Sequence, residues 1–117
     1  MAFYIKQGNT SPAILRQLQD AGGAPVNLAG ASVRFSMASP DGTVRIARAV
    51  AAVFTGALPG GGMASAVDGW MRYAWAVGDT AIAGQFNAEF EVTYADASVE
   101  TAPNAGYEAI HIEKKLA

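Results

Sequence analysis

The chain has 117 residues, about half of them hydrophobic, a formal charge of −2 at pH 7 and no cysteine. That length predicts one domain, 1–117, with a core of its own, and the missing thiols exclude disulfides, thiol catalysis and cysteine-ligated metals. Its eight Lys and Arg residues are dispersed, which excludes the continuous basic footprint of a nucleic-acid binder.

Thirteen glycines and five prolines punctuate the chain, a pattern suited to short strands and turns rather than long helices. The opening MAFYIKQGNTSPA lacks a basic segment followed by a long apolar one. It therefore reads as no signal peptide, and no run approaches a membrane span, so folding in the cytoplasm of the producing cell is expected. AFYIKQ (2–7) is rich in strand formers and short enough for a sheet edge. Gly8 to Pro12 breaks it, with the residue before proline biased toward extended backbone. In AILRQLQD (13–20), Ile14, Leu15 and Leu18 fit either a short helix or a strand. At barely two helical turns, closed by AGGAP, it is read as strand.

ASVRFSMAS (31–39) alternates cleanly, with Val33, Phe35 and Met37 on one face and Ser32, Arg34 and Ser36 on the other. SPDGTV then supplies a hairpin turn through Pro40 and Gly42. From Val44 to Phe54, Ile46, Val50 and Val53 have helical spacing, but β-branched content favours two short strands on either side of a break. Segment 55–69, TGALPGGGMASAVDG, carries almost no large side chains and is expected as a flexible Gly/Ala-rich surface loop. Its glycines are not followed by the lysine and hydroxyl residue of a phosphate loop. In WMRYAWAV (70–77), Met71, Tyr73, Trp75 and Val77 share the inward face, with Trp70 and Arg72 opposite. GQFNAEFEVTY sets Phe86, Ala88, Phe90, Val92 and Tyr94 against Asn87, Glu89, Glu91 and Thr93: one dry face and one wet. YADASVE turns back into a short strand, TAPNAG interrupts, and YEAIHIE (107–113) completes the sheet with Glu108, Ile110 and Ile112 on one face.

Seven or eight short strands predict an all-β fold, a single immunoglobulin-like β-sandwich, with a compact β-barrel as the alternative. In GDTAIAGQF, Asp79 can accept backbone hydrogen bonds and order the corner. This stretch resembles the corner before the F strand of immunoglobulin domains, with Phe86 where that corner has tyrosine and Ala88 where it has cysteine.

Candidate chemistry is sparse. His111, the one histidine, has no partner at metal-ligand spacing, and no serine sits in a nucleophile-elbow pattern. Glu89 and Glu91 share a strand face roughly 7 Å apart. A glycosidase needs two carboxylates with different surroundings, whereas a solvated sheet face treats both alike. Asp79, Asp96 and Glu100 reach a calcium ion only if their loops converge. No catalytic, cofactor or metal site is assigned.

Taken in order, FYIKQGNTSPAI, VNLAGASVRFSM with PDGTV, GDTAIAGQFNAEFEVTYADASVET and PNAGYEAIHI resemble the N-terminal immunoglobulin-like domain family of the tailed-phage baseplate upper protein. The resemblance runs almost end to end. It implies a non-enzymatic virion structural protein that joins baseplate, tail or neck components, with no catalytic residues to carry over. Partners would be other phage or prophage virion proteins, with self-association as a further option, no nucleic acid and no membrane. The protein would be made in the bacterial host cytoplasm and reside in the virion after assembly. Segment 55–69 is longer than the resemblance leads one to expect, which keeps a neck or head-surface position open. Tyr4, Leu58, Met63, Trp70 and Tyr107 are the interface candidates. Two alternatives remain: a carbohydrate-binding sandwich using an exposed aromatic platform with Asn87 and Glu89, which joint exposure of Trp70 and Tyr73 would favour but their opposite strand parity opposes, and a small glycoside hydrolase using Glu89 and Glu91.

Overall fold

A computed structural model describes residues 2–117. Its strands, in chain order, are β1 (Ala2–Lys6), β2 (Ile14–Gln17), β3 (Ser32–Ala38), β4 (Val44–Val53), β5 (Gly56–Ala57), β6 (Met63–Ala64), β7 (Trp70–Tyr73), β8 (Gly84–Thr93), β9 (Val99–Ala102) and β10 (Glu108–Glu113). The main path runs β1-β10-β8-β3-β4-β7-β2, with β9 also on β8 and β5-β6 forming a separate hairpin. β1 lies parallel to β10; the other pairings are antiparallel. The fold is all-β, an immunoglobulin-like sandwich nearly closed into a barrel.

Near-closure comes from two features. β4 changes partner along its length, pairing with β3 as far as Ala51 and with β7 at Ala52 and Val53. At the other side, the consecutive strands β1 and β2 occupy opposite ends of the path. An ion pair bridges the seam left between β2 and β10: Arg16 Nε lies 2.7 Å from Glu108 Oε1, both half-buried. Glu108 does share the inward register of Ile110 and Ile112, which are buried, and spends that orientation on the seam.

Strand alternation places the core as expected. Val33, Phe35 and Met37 from β3, and Phe86, Ala88, Phe90 and Val92 from β8, are buried. Phe35 stacks on Tyr73 at 4.4 Å and meets Phe90 and Trp75 edge-on at 5.1 and 5.6 Å. Val77 does not join them: it is 95% exposed. β7 ends at Tyr73 because Asp79 captures the chain there. Its Oδ2 accepts from Tyr73 Oη at 2.5 Å and from the Ala76 N–H at 2.8 Å. The corner that lacks a tyrosine at Phe86 thus draws one from the preceding strand. The next residue, Thr80, is buried and donates through Oγ1 to Asn9 O at 2.7 Å, while the Gly8 N–H donates to Thr80 O. QGNT and GDT, 71 residues apart, are two halves of one joint.

Two expectations need correction. Residues 44–53 form one strand, not two, because the suspected break is a bulge. Register shifts flank Met37, and Arg48 takes φ +48° opposite Ser36, whose Oγ accepts the Arg48 N–H. A bulge lets the pairing resume, where a turn would end it. Segment 55–69 is not one irregular loop either. It folds as the β5-β6 hairpin followed by a 3-10 turn, Ala66–Asp68, that docks on residues 17–28. Asp68 stabilises that turn by accepting from the Ser65 N–H at 2.7 Å.

Tyr94, at the end of the core face, links the fold to alkaline pH. Burial first, and then its hydrogen bond to Glu100 Oε1 at 2.6 Å, push its hydroxyl from 10.0 up to about 12. Tyr73 is raised in the same sense, by burial and then by Asp79. The folded state therefore holds protons that the unfolded chain releases, so this stabilisation is complete below pH 10 and is lost as pH rises toward 12. The urea midpoint should fall over that window. Tyr94→Phe should flatten part of the decline; an unchanged slope would contradict the assignment.

Candidate functional site

The outer face of the β1-β10-β8-β3-β4 sheet carries a groove of about 460 Å³. Its floor follows from register. Ser36 lies opposite Glu89, and Asn87 lies between Ala38 on β3 and Ala109 on β10. Small side chains around Asn87 and Glu89 leave the depression. Tyr107, one residue before β10 and 61% exposed, forms one wall. Arg48 on β4 forms the opposite one, and the Ser39–Gly42 turn with Val44 closes an end.

Arg48 is held in place by the bulge that displaces it. Its Nη2 and Nε donate to Glu91 Oε1 at 2.6 and 3.0 Å. The two carboxylates singled out in the sequence thus share a face but differ in company, since Glu91 is paired and Glu89 makes no side-chain hydrogen bond among the described residues. Asn87 and Tyr107 likewise leave their polar groups without a protein partner among those residues.

The five interface candidates fall in three places. Tyr4 and Tyr107 lie on the outer face, with Tyr4 stacked on His111 at 4.7 Å. That stack gives the lone histidine a packing role. Met63 is exposed on the β5-β6 hairpin with Leu58, half-buried, at the start of its turn. Trp70 stands apart on β7, half-buried beside Gln17 of β2. Trp70 and Tyr73 form no shared platform, in keeping with their opposite strand parity: Tyr73 is buried in the core. Asp79, Asp96 and Glu100 do not converge: they serve Tyr73, Ser98 and Tyr94 respectively. Among the described residues no three metal-ligating side chains cluster.

Sequence reading missed Arg48 and the groove. Arg48 sits in an alanine-rich stretch with no Gly, Asn or Asp to announce a left-handed residue, and Tyr107's place beside Glu89 depends on how β9 hands over to β10. Comparison with protein-family models, curated proteins and solved structures returns no match.

Proposed function

We propose that the chain is a non-enzymatic structural module of a tailed-phage or prophage particle, joining other particle proteins by strand addition at β1. The observation that carries the reading is the contrast between its sheet edges. β4 has β7 beside it only at Ala52 and Val53, and its free stretch before them carries a bulge with Arg45 and Arg48, devices that discourage edge pairing. β2 faces β10 across the Arg16–Glu108 bridge. β1 pairs with β10 in unbroken register from Ala2 to Lys6 and has no strand on its other side among the described residues. An extended partner segment added there would satisfy main-chain groups, and the exposed Tyr4 would supply contact area. The setting is the one implied by the resemblance read in the sequence to a baseplate domain family, which no family-model match accompanies.

The test is cross-linking mass spectrometry on purified particles from the encoding genome, with light scattering of the free protein across a concentration series. Lys6, exposed at the end of β1, should link to a second particle protein. Tyr4→Asp should reduce that link by about tenfold or more, the scale of losing an aromatic anchor. Absence of the chain from the particles, or links that avoid β1, would overturn the proposal. A defined oligomer by scattering would make the partner another copy.

A further inference from the structure

We propose that the outer-face groove is a saccharide site, independent of the β1 edge, that seats a pyranose ring against Tyr107 above Asn87 and Glu89. Three observations lead there. The first is size: about 460 Å³ lies inside the roughly 300–1,000 Å³ of small-ligand pockets. The second is the pairing of an exposed aromatic ring with a floor of small side chains. A tyrosine ring offers a flat apolar surface to the C–H face of a sugar while its hydroxyl stays wet. Ser36, Ala38 and Ala47 line the groove with Tyr107 and keep it open to a ring-sized ligand.

The third is the unspent polar chemistry. Asn87 offers both a donor and an acceptor, Glu89 accepts, and Tyr107 does either; none is engaged by a described side chain. Sugar hydroxyls also donate and accept, so they match this mixture better than an ion of one sign. Charge points the same way. Arg34, Arg48, Glu89 and Glu91 sit together on this face, Arg34 opposite Glu91 and Arg48 bound to it, and their formal charges cancel. A second copy docked by a two-fold through β8 is disfavoured, because it would bring Glu89 and Glu91 against their own counterparts.

Amide chemical-shift mapping of the full chain with maltotetraose, cellotetraose and chitotetraose at millimolar concentration tests this, alongside a lysine-rich peptide as a charged control. At least one tetrasaccharide should perturb Ser36, Ala38, Asn87, Glu89 and Tyr107 together. Tyr107→Ala should weaken that binding by about tenfold, and Asn87→Ala should weaken it as well. Tyr107→Phe should retain most of the affinity, because the ring face remains. Both positions lie on the outer face, and an unchanged thermal midpoint establishes that each variant folds. No perturbation by any of the sugars would overturn the proposal. So would sugar binding indifferent to Tyr107→Ala, or perturbation of the groove by the lysine peptide alone.

Discussion

Gly69→Ala should destabilise the fold by about 3 kcal/mol or more, far beyond the ordinary cost of replacing a glycine. Gly69 takes φ +79°, where an alanine costs roughly 1–2 kcal/mol. Collision adds more than that. A Cβ there would stand 2.6 Å from Leu18 O and 3.0 Å from Val26 O, both backbone atoms. Relief requires moving the main chain, yet that main chain is already hydrogen-bonded. The Leu18 N–H donates to Gly69 O at 2.7 Å, and the Val26 N–H donates to Leu18 O at 3.0 Å. Losing those bonds costs about 1 kcal/mol each. Gly42 provides the control: it has φ +90°, and a Cβ added there would meet nothing within 4 Å. Gly42→Ala should therefore cost only the conformational part, roughly 1–2 kcal/mol. Urea unfolding of the two variants separates strain from collision. Equal losses would show that the close approach at Gly69 is not what holds this junction.

That junction also shows where sequence reading stops. Val33, Phe35, Met37 and Phe86 through Val92 declare their buried face by strict alternation, because a strand has period two and one side of each sheet is dry. Gly69, by contrast, closes a stretch of small residues that carries no hydrophobic period. Its order comes from backbone contacts with Leu18 and Val26, far earlier in the chain, and such contacts leave no trace in residue type. Val77 fails for a related reason. The alternation of WMRYAWAV continues through Val77, while Asp79 ends the strand by binding Tyr73 and Ala76. Asp79 itself was legible as a corner residue; the tyrosine it would choose was not. The groove divides likewise. Asn87 and Glu89 are visible as the wet face of β8, but Tyr107 and Arg48 reach it only through an irregular link and a bulge.

Phe35→Ala should cost about 3–5 kcal/mol, the range for emptying an aromatic core position. Phe35 is fully buried on β3, between β4 and β8, and its ring is the common neighbour of Tyr73, Trp75 and Phe90. Truncation removes the stacked partner of Tyr73 and the edge contacts of the other two, each such aromatic pair worth about 0.5–1.5 kcal/mol beyond burial. Collapse into the space is restricted because β3 is bonded on both sides, so a void persists. Trp75, whose indole borders Phe35, has its Nε1 buried without a hydrogen-bond partner among the described residues. Phe35→Leu fills most of the space and should lose less than half as much. Trp75→Phe, which deletes the unpartnered N–H, should be nearly neutral despite the smaller ring. Denaturant unfolding with near-ultraviolet dichroism reads all three. If Phe35→Ala costs no more than Phe35→Leu, the sandwich does not close around this aromatic cluster.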